Sequence, residues 1–266
     1  MVTAGLKQND LAQVLALSPL LLVRLYADGA DAAVQRLALL GCVFGVAYIW
    51  SAVFKRQIWL RPEAAQVHFA LLFILLLPGP VGWGGALLAV SFGWVFGHEI
   101  FGGRSILSPA LLALVFAIFS FPEGGFEQHY ILHASTNPLL ALSCVPGAIW
   151  LVWKKVLDWR VFGGVALGVA VAVGVFAAPS SLAWHDHLVL GTLSIAVVFI
   201  AAAQDYAPRS PWAGWVYGAL IGALIVALRL ASPDQPDGVA LALLLGGLFA
   251  PLLDRMVSWG GRDVQP

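Results

Sequence analysis

The chain is short of charge. Lys, Arg, Asp and Glu make up 11 % of its 266 residues, against roughly 25 % in a soluble globular domain. That shortage excludes an ordinary water-facing surface. Fourteen basic and fourteen acidic residues cancel, and no basic patch stands out, so nucleic acid is not expected as a partner. Cysteine is scarce too. Cys42 and Cys144 each lie alone in an apolar run. A disulfide framework or a cysteine-ligated cluster needs more cysteines at closer spacing, so both read as small core residues. A secretory signal is not expected either. Lys7 is soon followed by Asp10, and no small-residue cleavage site closes a clean apolar core. Nothing resembles a nucleotide-binding domain.

What the chain has is apolar sequence. Hydrophobic residues reach 61 % and mean hydropathy is +0.89. These values place it among all-α, polytopic integral membrane proteins. We read residues 1–266 as one membrane domain. About ten apolar segments follow one another, near 11–25, 33–54, 65–78, 81–97, 106–121, 138–153, 161–178, 187–204, 211–230 and 238–258. Several are shorter than the roughly 20 residues that a straight span needs. The third runs into Pro78-Gly79-Pro80; the fifth starts at Ser108-Pro109 and the sixth at Asn137-Pro138. Ser or Asn before Pro suits a helix start, where the side chain caps and Pro fills the first turn. Such segments are expected to be broken or half-membrane helices that meet inside the bundle.

Charge gives an expected orientation. With a cytoplasmic N-terminus, alternate loops carry Lys7; Lys55, Arg56 and Arg61; Arg104; Lys154, Lys155 and Arg160; Arg209; and Arg255 with Arg262. The opposite loops carry Asp28 and Asp31, Glu123 and Glu127, Asp186, and Asp234 with Asp237. Arg24, Arg36 and Arg229 sit at segment ends. Basic loops mark the inner face. The expected location is therefore the inner (cytoplasmic) membrane, multi-pass, with both termini cytoplasmic.

The stretch 76–122 is the most informative. It is nearly uncharged and broken by Gly and Pro, and one polar island interrupts it: Gly97-His98-Glu99-Ile100-Phe101-Gly102-Gly103-Arg104. Charged groups near membrane depth are costly unless paired or functional, and Arg104 is the nearest cation for Glu99. Glycines permit close backbone approach and arginine forks onto oxyanions. Gly102, Gly103 and Arg104 therefore form a candidate site for a phosphate or ribityl group. The competing reading is an inner-loop turn with a salt bridge.

The island, followed by Ser108-Pro109-Ala110, resembles the (K/R)-E-x-F-G-G…N-P-A stretch of the NqrB/RnfD family. These are membrane subunits of the sodium-pumping NADH:quinone reductase and of Rnf electron-transport complexes. The resemblance continues through His187-Leu188-Val189-Leu190-Gly191 and Tyr217-Gly218-Ala219-Leu220-Ile221-Gly222. It runs on through Leu228-Arg229 and Pro236-Asp237-Gly238 to Leu248-Phe249-Ala250-Pro251-Leu252-Leu253-Asp254. It implies about ten transmembrane or half-membrane helices in two inverted repeats, like urea and ammonium transporters. It also implies flavin and electron transfer.

Many members of that family esterify FMN to a threonine in an S-(G/A)-A-T-P-L-like sequence. Here the matching segment is Ala134-Ser135-Thr136-Asn137-Pro138-Leu139, and Asn137 stands where the acceptor should be. An amide cannot form the phosphoester; Thr136 could serve only in a register slipped by one. The expectation is FMN or riboflavin bound non-covalently, with Ser135, Thr136 and Asn137 still near it. The family's A-T-D-P-V-S-A-like stretch corresponds to Ala203-Gln204-Asp205-Tyr206-Ala207-Pro208, which retains Asp205 and loses the Thr and Pro beside it. This chain is thus a divergent relative.

Glu127, His129 and His133 share one outer loop, and His185, Asp186 and His187 the next. His-x-x-x-His alone is a weak ligand signal, and no metal site is expected. Trp50, Trp59, Trp83, Trp150, Trp153, Trp159, Trp184, Trp212, Trp215 and Trp259 lie near segment ends, as an aromatic belt requires. The resulting expectation is an electron-transfer membrane subunit. Its cofactor contacts are drawn from His98, Glu99, Gly102, Gly103, Arg104, Ser135, Thr136, Asn137 and Asp205. Its partners are other membrane subunits, the bilayer and a quinone. The rivals are a solute permease that kept the fold, and a cofactor-free scaffold subunit.

Overall fold

The computed structural model describes residues 2–55, 62–77, 81–102, 107–121, 138–176, 188, 193–231 and 238–260. Among these residues the only regular structure is helical, apart from one isolated antiparallel bridge between Leu157 and Ala203. The helices are α1 (Val2–Asp28), α2 (Ala30–Lys55), α3 (Ala64–Leu76), α4 (Trp83–Trp94), α5 (Pro109–Ser120), α6 (Pro138–Trp153), α7 (Trp159–Phe176), α8 (Leu193–Ala196), α9 (Pro211–Ala231) and α10 (Val239–Gly260). Helices α4 and α8 run on into π-helical turns, Val95–Glu99 and Val197–Ala201. Helices α3, α4 and α5 have 13, 12 and 12 residues and α8 has four.

Among the described residues, five helices are long and apolar enough to cross a membrane. Their exposed side chains are apolar: Leu15 and Leu22 on α1, Leu37 and Val53 on α2, Leu167 and Val171 on α7. Such a surface suits lipid, since water would not favour it. The protein is a multi-pass membrane protein.

The short helices lie inside. In α3, every residue from Phe69 to Leu76 is buried. At 1.5 Å per residue its 13 residues reach about 20 Å, less than the ~30 Å hydrocarbon core. A helix apolar all round must be covered all round. The π-turn after α8 is buried as completely. The expectation of half-membrane helices therefore holds for residues 65–78. Within 187–204, the described helix covers 193–201.

Charge anchors α3 at its far end. Arg36 donates from Nη1 to the carbonyls of Ile74 and Leu77, and Arg24 from Nη2 to that of Leu77. The last carbonyls of a helix carry partial negative charge and lack intrahelical donors. Asp28 pairs with both arginines. Asp28 is thus a largely covered counter-ion, where its sequence position suggested an outer-loop acid. The chain turns from α1 to α2 at Gly29 alone, with φ +80°.

Helices α7 and α9 touch backbone to backbone. A Cβ at Gly168 would lie 2.2 Å from the Ala219 carbonyl oxygen, and one at Gly222 would lie 2.4 Å from that of Val165. Small residues on both faces permit this approach, which favours helix association in lipid.

Candidate functional site

A cavity of about 660 Å³ opens where the two π-turns end. A π-turn closes each backbone bond one residue later than an α-turn and is often found at functional sites. Here Ile100 N–H reaches the Val95 carbonyl at 3.0 Å, and Ala202 N–H reaches Val197 at 2.9 Å. The first turn delivers His98 to the cavity. The second leads into the linker that delivers Asp205.

Local bonds fix that linker. Asp158 N–H donates to the Ala202 carbonyl at 2.8 Å, and Gln204 N–H to that of Val156 at 3.1 Å. Asp254 on α10 accepts from the backbone N–H groups of Arg209 and Ser210, each at 3.0 Å. One carboxylate thus holds the entry to α9. On the other wall, Ser108, Pro109 and Ala110 begin α5. Gly97 lets the first π-turn rest on them: a Cβ there would lie 2.8 Å from Pro109 Cα. Ser108 stands at the cap position, but its hydroxyl caps nothing and has no hydrogen-bond partner. The expected serine cap is therefore absent, and a buried hydroxyl is left at the cavity wall.

Aromatic faces form one side. Trp94 stacks on His98 with ring centroids 4.4 Å apart and packs against Phe69 at 4.9 Å. Its indole N–H is shared between Ser51 Oγ and Glu99 Oε1, each at 3.0 Å, and Ser51 donates to the same carboxylate oxygen. Glu99 is buried. A buried carboxylate needs such donors.

The nine sequence-predicted residues separate accordingly. His98 and Asp205 line the cavity together. Glu99 stands behind the wall, held by Trp94 and Ser51. These two are the hydrogen-bond partners described for it, and the expected partner Arg104 lies outside the described residues. Gly102 occupies a turn at φ +67°, with nothing within 4 Å of an added Cβ. Its need is conformational, and Gly97 makes the close approach instead. Gly103, Arg104, Ser135, Thr136 and Asn137 lie outside the described residues, as do Glu127, His129, His133, His185, Asp186 and His187. No group of three or more His, Cys, Asp or Glu suited to a metal occurs among the described residues.

Burial raises the Asp205 carboxyl above its ordinary value of 3.8. The sequence reading passed over Asp10, His68 and Trp94, all of which line the cavity. The signal for two of them was present: an acid and a histidine next to or inside apolar segments.

Fold and site together define a polytopic membrane protein in which four of the motif stretches, those at His98, Ser108–Ala110, Gln204–Pro208 and Ala250–Asp254, contribute to one cavity. The chain belongs to the NQR2, RnfD, RnfE family, whose sequence signature matches residues 3–131 and 129–259. It is similar to proteins named as one of the subunits of Na(+)-translocating NADH-quinone reductase. The relative from Yersinia pestis is 29 % identical, with 81 % of this chain and 64 % of the relative covered. The one from Ectopseudomonas mendocina is 28 % identical, with 71 % and 58 % covered. The one from Haemophilus influenzae is 28 % identical, with 81 % and 64 % covered. The chain thus spans about 58–64 % of the length of these relatives.

Proposed function

We propose that this chain is a membrane-embedded electron-transfer subunit of an NADH–quinone reductase type of complex, and that it holds a flavin non-covalently in the cavity between His98 and Asp205. The observation that carries this reading is convergence. His98 with the nearby Ser108-Pro109-Ala110 stretch, the Asp205 linker and the Ala250–Asp254 stretch come from three separate parts of the sequence, and all reach one space. Its volume falls within the roughly 300–1,000 Å³ of small-molecule sites.

The lining suits an isoalloxazine ring. The stacked Trp94–His98 wall offers a flat face, while Ser108 Oγ and His68 Nε2 are buried polar atoms without protein partners. Buried polar groups call for a hydrogen-bonding occupant or water. The phosphate of FMN is less well served. Among the described residues, Arg209 is the one lysine or arginine that lines the cavity, and Asp10, Asp205 and Asp254 stand against it. Like charge disfavours a phosphate dianion, so riboflavin is the better fit. When bound, the flavin supplies the electron transfer, and the chain supplies binding, orientation and exclusion of water. Electrons enter and leave through partner subunits, with a quinone as an acceptor class.

Gentle detergent purification followed by visible absorption tests this. The parent should carry flavin released intact on denaturation, and Trp94→Leu should lower the flavin-to-protein ratio several-fold while the protein still elutes as a single species. A colourless parent overturns the reading in favour of a permease or scaffold.

A further inference from the structure

The cavity contains a carboxyl–imidazole pair whose proton chemistry flavin binding does not use. Asp10 of α1 and His68 of α3 both line it, with Asp10 Oδ1 4.0 Å from His68 Nδ1. His68 is 7 % exposed, and its Nε2 is buried without a hydrogen-bond partner. One turn along α1, on the face of Asp10, Gln13 is fully buried with both side-chain polar atoms unpartnered. Ionisable groups inside membrane helices are rare and costly, and mark ion or proton pathways by default.

We propose that Asp10 and His68 form a proton-exchange site that takes one proton from cavity water at His68 Nε2 and passes the Nδ1 proton to the Asp10 carboxylate. Before uptake the imidazole is neutral, with its proton on Nδ1 facing Asp10, and the pair carries one negative charge. A proton then bonds to Nε2, the Nδ1–H bond breaks, and an O–H bond forms on Asp10. The product is a neutral acid beside a neutral imidazole with its proton on Nε2. One proton is gained, and the buried net charge disappears, which favours uptake in a low-dielectric site. Reversal releases the proton. The 4.0 Å separation exceeds a direct N–H···O bond of about 3 Å, so a small side-chain shift or one bridging water closes it.

The other charged groups around the pair come from several elements, and Asp205 and Glu63 act on Asp10 by charge. From α2, Lys55 is paired with Glu63, which begins α3. Arg24, Asp28 and Arg36 gather at the opposite end of α3. Helices α5 and α8 bring no ionisable group. Across the cavity stand His98, Asp205, Arg209 and Asp254, with Glu99 behind His98.

The test is imidazole-nitrogen NMR of the full chain in detergent, with isotope-labelled histidine. Loss of one signal in His68→Gln assigns the residue among six histidines. In the parent, the His68 signals should switch from the Nδ1–H to the Nε2–H form as pH falls through about 8 to 5. Asp10→Asn should lower the midpoint by about one unit or more, and Asp10→Glu should restore it. A His68 spectrum that does not change over that range in the parent overturns the proposal, without need of any variant. So does a parent-like titration in Asp10→Asn. A colourless preparation that still shows the switch removes the flavin reading and leaves this one standing.

Discussion

The two short interior helices differ more than their shared burial suggests. Helix α3 carries His68 and Gln66 within its buried length and is clamped at its end by Arg24 and Arg36. Helix α8 with its π-turn, residues 193–201, is apolar and buried except for the half-buried Ser194, and the next polar residue is Gln204 in the linker. Burial alone therefore does not fix what such a helix does. Buried polar groups need partners, so the first half has acquired arginine donors and a wet cavity wall, and the second is held by packing and by the grip of Asp254 on the next helix.

The strongest way to break this contrast is Arg36→Met. It removes the donor to two α3 carbonyls and leaves Asp28 with Arg24 alone. About 3 kcal/mol should be lost, as for other broken buried pairs, and a thermal melt in detergent should fall clearly below the parent. An unchanged melt would mean that the arginines do not secure α3. Asp254→Ala acts on the other half. Two backbone N–H groups lose their acceptor, at a cost of about 1–2 kcal/mol, and the linker carrying Asp205 should become more susceptible to limited proteolysis than α3 does.

Asp205→Asn should have the smallest effect in acid and a growing one above it. Burial raises the Asp205 carboxyl in the folded protein above its ordinary 3.8. The folded state therefore binds the proton more tightly than the unfolded state, and this contribution to stability is lost as pH rises through the folded value. The amide cannot ionise. Melts across a pH series should show Asn level with the parent below pH ~4 and more stable than the parent at neutral pH. A constant offset at every pH would assign the cost to something other than ionisation.

Much of this was legible in the chain. Leu167 and Val171 face lipid because a run of such residues has no other stable place, and α3 is short because Pro78 follows it. His98 and Asp205 were legible as site residues because polar islands in apolar sequence demand a reason. The identity of the partners was not. Glu99 takes its described bonds from Ser51 on α2, far away in sequence, and from Trp94, which one π-turn brings back over the carboxylate; the expected partner Arg104 lies outside the described residues. Sequence shows that a charge needs a partner; it does not show which distant side chain the helix packing will bring to it.

By itself, then, the sequence determined the class, the helical segments and the points where polar groups enter the membrane, since solvation by lipid acts on each segment separately. Only the tertiary structure decided that Asp10, His68, His98, Asp205 and Asp254 line one space, that Gly97 and not Gly102 makes the close contact, and that Asp28 is a largely covered counter-ion. The reason is physical. Cavities, ion pairs and backbone contacts form between helices, and their geometry depends on how the ends of α1, α3, α5, α8 and α10 stack, which no local pattern encodes.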